Sequence, residues 1–245
     1  METAELIRVL DREGRSLAEA ADAAGPDAKV PTCPGWQVRD LLRHTGMVHR
    51  WATAFVAEGH TSYRPDGGLP ALDGAELSAW FRAGHGRLVE VLTAAPSDVR
   101  CWTFLPAPSP LAFWARRQAH ETTVHRADAE SARGGRPGPP DADFAVDGIE
   151  ELLLNLHGRA RSRVRTDVPR VLRVRASDTG TTWTVRLSER PPEVERGEVG
   201  AADGEFAGTA AELYFALWNR RPVPHVSGDA SLVALWRENS AVTWS

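Results

Sequence analysis

Four long segments with helical periodicity, each bounded by strong start and stop residues, dominate the first 160 residues of the chain. A Ser-Pro pair opens the fourth segment, and a Gly-Gly pair follows its end. Proline at the first helical position and glycine after the last one are typical boundaries of a helix. The segments run from about Thr3 to Gly25, from Pro34 to Glu58, from Asp73 to Ala95 and from Ser109 to Ala132. Four helices of this length predict an antiparallel helical bundle.

The pattern changes after a fifth predicted helix, at about residues 143–157, which leads out of the bundle. The segments Val171–Val174 and Thr182–Leu187 alternate apolar and polar residues, and Gly180 between them indicates a hairpin. Two short helices follow, at about residues 210–219 and 230–238. We therefore expect an α plus α/β protein, in which residues 1–160 form the helical bundle and residues 161–245 form a small mixed α/β domain.

The composition of the chain argues against several classes of protein. The net charge is −4 and no basic stretch is interleaved with aromatic residues, so nucleic acid is not an expected partner. No segment approaches the roughly 18 consecutive apolar residues of a membrane helix, and the N-terminus carries acids in place of the apolar core of a signal peptide. We expect a cytoplasmic protein without a membrane partner, in which Cys33 and Cys101 stay reduced.

Two polar residues of the fourth predicted helix point toward the bundle core. At about 100° per residue, Glu121 and His125 fall within the apolar stripe that also holds Trp114. His120 lies on the opposite side, where we expect solvent. A carboxylate that faces a core costs free energy unless a cation or a metal compensates it. One oxygen and one nitrogen ligand on successive turns predict a metal site that takes a third ligand from another helix.

The second predicted helix offers that third ligand. His44 lies at one edge of its apolar face and His49 at the other, so helical angles do not choose between them. His85 on the third helix is a further candidate. Asp128 lies near His125 in angle and is either a surface acid or a group that orients a metal ligand. Without a metal, the same histidines and glutamate would form a buried hydrogen-bonded cluster.

Two histidines and one glutamate leave the fourth position open on a tetrahedral ion. An open position is the pattern of a catalytic zinc site, whereas structural zinc sites are filled by the protein. Zinc is the expected metal, and nickel or iron fits the same ligands. The open position can take water, or the sulfur of a thiol whose pKa the metal lowers.

Several runs of residues together resemble one family. They are VPTCPGWQVRDLLRHTGMVHRW at 30–51, ARRQAHETTVHRADAE at 115–130, DGIEELL at 147–153 and, near the C-terminus, ELYFALWNRRP and VSGDASLVALW. In this order they resemble the mycothiol-dependent maleylpyruvate isomerase family of actinobacteria over nearly the whole chain. The resemblance implies a DinB-like four-helix bundle followed by a sterol-carrier-like α/β domain.

The resemblance also implies which residues act. The metal ligands of the family correspond to His44, Glu121 and His125, so the resemblance selects His44 where the angles do not. An active-site arginine of the family corresponds to Arg220, in a motif that reads Trp-Asn-Arg here. The family has glycine at the position of Asn219, and a second arginine, Arg221, is adjacent, so both arginines stay candidates.

The activity that the resemblance implies is thiol chemistry. The metal would hold the thiol of mycothiol as a thiolate, which attacks an electrophilic carbon of a small second substrate. Addition to a conjugated cis double bond, rotation and elimination describe an isomerase, whereas retention of the thiol describes an S-transferase. The alternative is a non-catalytic protein, which binds a small ligand in its α/β domain and uses the metal only to stabilise the bundle.

Overall fold

The computed structural model of the protein describes residues 1–241, and the chain divides into two compact units, Met1–Gly138 and Pro139–Ser245. The first unit contains four helices: α1 (Thr3–Ala24), α2 (Val38–Glu58), α3 (Gly74–Ala94) and α4 (Pro110–Arg133). Helix α4 packs against α1 and α2, and α2 also packs against α3. The predicted bundle is therefore confirmed. Within residues 1–241, none of the helices combines the length and the apolar character that crossing a membrane requires.

The helix boundaries follow the capping residues closely. The hydroxyl of Ser109 accepts a hydrogen bond from the backbone N–H of Ala112 at 3.1 Å, so the predicted start of α4 is confirmed. Helix α2 ends as predicted at Gly59, whose φ of 66° is a left-handed conformation that glycine adopts at little cost. Its start lies later than predicted, because residues 30–37 form turns before Gln37 caps the helix.

Within the described residues 139–241, the second unit contains a five-stranded sheet and three α-helices. Helix α5 (Ala142–Glu150) continues into one turn of π-helix (Glu151–Leu156). The strands are β1 (Arg170–Ala176), β2 (Thr181–Leu187), β3 (Glu193–Arg196), β4 (Gly204–Gly208) and β5 (His225–Gly228), and the later helices are α6 (Ala210–Leu217) and α7 (Ser231–Asn239). The strand order is β3-β2-β1-β4-β5; β1 and β4 pair parallel and the other neighbours antiparallel. This mixed unit confirms the second half of the predicted fold class, including the β1–β2 hairpin.

The division between the units lies about twenty residues before the predicted boundary at residue 160. The reason is that α5, the predicted fifth helix that leads out of the bundle, packs against α6. Its buried residues include Phe144 and Ile149, and the ring of Phe144 lies 6.1 Å from that of Tyr214. The apolar face of α5 therefore belongs to the core of the second unit.

Candidate metal centre

Three side chains from two helices of the first unit converge on one point. His44 comes from α2, and Glu121 and His125 come from successive turns of α4. The Oε1 atom of Glu121 lies 3.3 Å from Nε2 of His44 and 3.2 Å from Nε2 of His125. One nitrogen or oxygen of each residue lies within 4.8 Å of the other two, as the ligands of a single metal ion do.

The distances in this group agree with those of a tetrahedral zinc site. Zinc–nitrogen and zinc–oxygen bonds of about 2.0–2.2 Å at tetrahedral angles place neighbouring ligand atoms about 3.3 Å apart. The two separations measured from Oε1 of Glu121, 3.3 Å and 3.2 Å, are close to this value. Two imidazole nitrogens and one carboxylate oxygen also form a donor set that zinc accepts. The residues present therefore fit a divalent metal ion.

The two oxygens of Glu121 have different neighbours. While Oε1 faces the histidines, Oε2 lies 3.2 Å from Nη2 of Arg117, a buried residue one turn earlier on α4. Burial by itself raises the pKa of the Glu121 carboxyl. The hydrogen bonds with His125 and His44 and the charge of Arg117 outweigh it, so that the pKa lies well below its ordinary value. Glu121 is consequently an ionised carboxylate with one oxygen directed at the candidate metal position.

Asp128 holds the second nitrogen of His125. Its Oδ2 atom lies 2.9 Å from Nδ1 of His125, and Oδ1 accepts a hydrogen bond from the hydroxyl of Thr32 at 2.6 Å. The Sγ atom of Cys33 donates to Oδ2 at 3.4 Å. Asp128 is fully buried, so the interpretation as a surface acid is wrong, and its carboxylate orients the imidazole of His125. Burial lowers the pKa of His125, but hydrogen bonds with Asp128 and Glu121 raise it to about 9.

The indole of Trp36 lies against both candidate histidine ligands. Its ring centroid is 5.1 Å from that of His44 and 6.3 Å from that of His125, and it stacks on the second of these. Glu121 and His125 are buried, whereas the His44 side chain keeps 18% of its surface exposed. Within the first unit, His44 is therefore the most accessible of the three candidate ligands.

The other histidines of the bundle have different partners. Nε2 of His49 lies 2.9 Å from the hydroxyl of Thr122, and the His49 ring packs beside that of His85 at 5.4 Å. Neither belongs to the group formed by His44, Glu121 and His125. The expectation that His120 faces solvent is wrong, since it is fully buried. The reason is that α4 is buried around almost its whole circumference between Phe113 and Ala129, so it has no solvent face there.

Arg220 follows α6 in the second unit, and its Nη1 donates to the backbone carbonyl of Trp218 at 2.9 Å. The preceding residue, Asn219, has a φ of 59°. Glycine and asparagine are the residues that adopt this left-handed conformation most readily. Asn219 therefore adopts this conformation at little cost. The Asn219 side chain also donates to the hydroxyl of Ser240 at 2.9 Å.

Comparisons with known proteins match both units. The family model described as the mycothiol maleylpyruvate isomerase N-terminal domain matches residues 7–130, and the model of the C-terminal domain of the same isomerase matches residues 143–235. No curated protein matches the sequence. A crystal structure of mycothiol-dependent maleylpyruvate isomerase has a TM-score of 0.59 at 10% identity, covering 93% of this chain and 92% of that one. A crystal structure of a point mutant of that enzyme has a TM-score of 0.62 at 10% identity, covering 90% of each chain. At this identity, the two structures show a shared fold.

Proposed function

Because the chain belongs to the mycothiol maleylpyruvate isomerase family, which is a family of enzymes, we propose that it is a metal-dependent enzyme that activates a small thiol. The metal is held by His44, Glu121 and His125. Zinc is the preferred candidate for this metal, and nickel and iron are the other candidates. The observation that supports this most is the convergence of three ligand atoms within 4.8 Å of one another.

The neighbouring residues prepare the three ligands for a metal. Because Asp128 accepts a hydrogen bond from Nδ1–H, the neutral form of His125 carries its free electron pair on Nε2, where a metal binds. Arg117 holds Oε2 of Glu121 and so leaves Oε1 as the coordinating oxygen. When bound, zinc supplies the Lewis acidity that lowers the pKa of a thiol toward neutral pH.

The thiol that we propose is mycothiol, which the names of the family and of the solved structures include. Its thiolate sulfur forms a bond to one carbon of a conjugated cis double bond. The π electron pair of the carbon–carbon double bond then moves toward the conjugated carbonyl. Rotation about the resulting single bond and expulsion of the thiolate give the trans isomer and regenerate the thiol. Arg220 is the residue that we propose to hold a carboxylate of the substrate through paired hydrogen bonds.

Isomerisation is the first candidate reaction because the matched family is named for it. If the adduct is released before elimination, the same residues catalyse an S-transfer, which consumes one thiol per turnover. Both reactions need a reduced thiol, which is the form that the cytoplasm maintains. We therefore place the enzyme in the cytoplasm.

The experiment that tests this proposal combines metal content with a thiol-dependent assay. We would measure metal by elemental analysis in the wild type, in a His44→Ala/His125→Ala double variant and in His225→Ala, a control at an exposed histidine of β5. Turnover would be followed with maleylpyruvate in the presence and absence of mycothiol. We expect about one metal per chain and mycothiol-dependent turnover in the wild type and the control, and neither in the folded double variant.

Each other result has a definite meaning. A wild type that takes up no metal after incubation with zinc would refute the metal site. Bound metal without turnover of any thiol-dependent substrate would favour the non-catalytic, ligand-binding alternative. Consumption of mycothiol in proportion to product would identify a transferase.

A further inference from the structure

A second candidate site lies in the first unit, in a cavity of about 630 Å³ between α2, α3 and the segment 60–70. None of the three candidate metal ligands lines it. Its apolar walls include the aromatic rings of Trp51, Phe55 and Trp80. Cavities of this size, lined by aromatic residues with a few polar groups, are typical sites for small molecules.

Arg50 places a positive charge in the wall of this cavity. Its Nη2 donates to the backbone carbonyl of Trp80 at 2.7 Å, and its Nη1 donates to that of Gly46 at 3.1 Å. Its Cζ atom also lies 3.6 Å from the centroid of the Trp80 ring. Burial lowers the pKa of the Arg50 guanidinium. Within residues 1–241, no carboxylate forms an ion pair with Arg50 that would compensate this burial. The part-buried guanidinium of Arg50 contacts two backbone carbonyls and an aromatic ring. A positive charge in this environment favours the binding of an anion nearby.

Two glycines in helix interiors make room for this arrangement. A Cβ atom added to Gly84 of α3 would overlap the guanidinium of Arg50, and one added to Gly46 of α2 would overlap the ring of Trp80. Glycine inside a helix costs about 1 kcal/mol relative to alanine. The helices thus contain an unfavourable residue at the two places where the Arg50–Trp80 stack needs the space.

Arg64, in the segment 60–70, is a second positively charged residue in the lining of the cavity. The indole N–H of Trp51 donates to the backbone carbonyl of Arg64 at 2.7 Å. This hydrogen bond holds the segment 60–70 against α2. Arg64 is exposed, and its guanidinium has no carboxylate partner within the described part of the chain. Nε2 of His60, the third basic residue of the lining, lies 2.9 Å from Oε2 of Glu58. The residues that line the cavity thus include two arginines and no carboxylate.

We propose that this cavity is a binding site for an organic anion with a flat apolar body, such as an aromatic carboxylate. Its carboxylate lies between Arg50 and Arg64, and its rings pack against Trp51 and Trp80. Guanidinium groups suit a carboxylate because their N–H groups match its two oxygens. The site is independent of the proposed thiol chemistry, since it shares no residue with the candidate metal ligands.

The test is isothermal titration calorimetry of the full-length, zinc-treated protein with 1-naphthoate, and with the neutral 1-naphthamide as the matched probe. We expect saturable binding of naphthoate, and binding of naphthamide about tenfold weaker or less. Arg64→Gln, in an exposed segment, should weaken naphthoate about tenfold, whereas Arg87→Gln, an exposed arginine of α3 outside the lining, should not change it. Ala54→Phe, which fills the cavity, should abolish binding.

A metal-free protein separates this proposal from the metal site. In the His44→Ala/His125→Ala variant, naphthoate should bind as it does in the wild type. Loss of binding in that variant would show that the carboxylate binds the metal, and would overturn the proposal. The absence of saturable binding to the wild type, equal affinity for the amide, or an unchanged affinity in Arg64→Gln would overturn it as well.

Discussion

Nδ1 of His125 and Oδ2 of Asp128 lie 2.9 Å apart in a buried hydrogen bond. Partners of this kind fix the orientation and the tautomer of a metal-binding histidine, and their loss typically reduces metal affinity 10–100-fold. The bond therefore gives the candidate centre a property that can be measured apart from catalysis.

We expect Asp128→Asn to weaken zinc binding by roughly 10–100-fold while the protein stays folded. Asparagine keeps the shape of the side chain but lacks the charge that favours a proton on Nδ1. Competition with a chromogenic chelator measures the dissociation constant. Asp66→Asn, in an exposed segment of the first unit, is the matched control and should bind zinc as the wild type does. An unchanged dissociation constant in Asp128→Asn would mean that Asp128 does not orient a metal ligand.

Glu121→Gln distinguishes a metal centre from a buried hydrogen-bonded cluster. The amide is a poor zinc ligand, so bound zinc and thiol-dependent turnover should fall together. Without metal, the substitution also removes the buried ion pair between Glu121 and Arg117, which we expect to lower the free energy of unfolding by about 1–3 kcal/mol. Circular dichroism checks the fold, and Glu90→Gln on the exposed face of α3 is the control. Equal zinc content in Glu121→Gln and the wild type would favour the cluster.

The sequence predicted the elements whose signals are local. The four long helices and the β1–β2 hairpin have their own periodicity and their own capping or turn residues. Strands β3, β4 and β5 were missed because each has only four or five residues. Two of the five residues of β4 are glycines, and β4 pairs in parallel with β1, about thirty residues earlier. No local pattern encodes a pairing of that separation.

The same distinction applies to the candidate metal centre. Helical angles brought Glu121 and His125 to one face, and the i, i+4 spacing of Arg117 and Glu121 could also have indicated their contact. The hydrogen bond between Thr32 and Asp128 joins residues 96 positions apart, and nothing in the sequence pattern relates them. The error at His120 had another cause. A helix that is buried on all sides does not follow the rule that its polar residues face solvent.

His157 should make the second unit sensitive to acid. Burial, with the charge of Arg159, lowers its pKa to about 4, and its ring lies 5.1 Å from that of Trp236. Since the pKa in the folded state is lower than the ordinary value near 6.5, the neutral form stabilises the fold above pH 6.5. This contribution decreases as the pH falls from 6.5 to 4, where roughly 3 kcal/mol is lost.

Thermal unfolding of the wild type and of His157→Gln between pH 7 and pH 4 measures this contribution. Both should be metal-free, so that release of metal in acid does not contribute. We expect the midpoint of the wild type to fall more steeply with decreasing pH than that of His157→Gln. Parallel curves would show that His157 keeps its ordinary pKa. His225→Gln, at an exposed position of β5, should behave as the wild type.

Two glycines in neighbouring helices should respond to alanine with opposite signs. At Gly86 of α3, an added Cβ atom has no heavy atom within 4 Å, so Gly86→Ala should stabilise the protein by up to about 1 kcal/mol through helix propensity. At Gly46 of α2, the same atom would overlap the Trp80 ring, which is rigid and also stacks on Arg50. Displacement of that ring costs about 1–3 kcal/mol, which exceeds the gain in propensity. Urea denaturation of both variants measures the difference, and equal stabilisation would show that Trp80 has room to move.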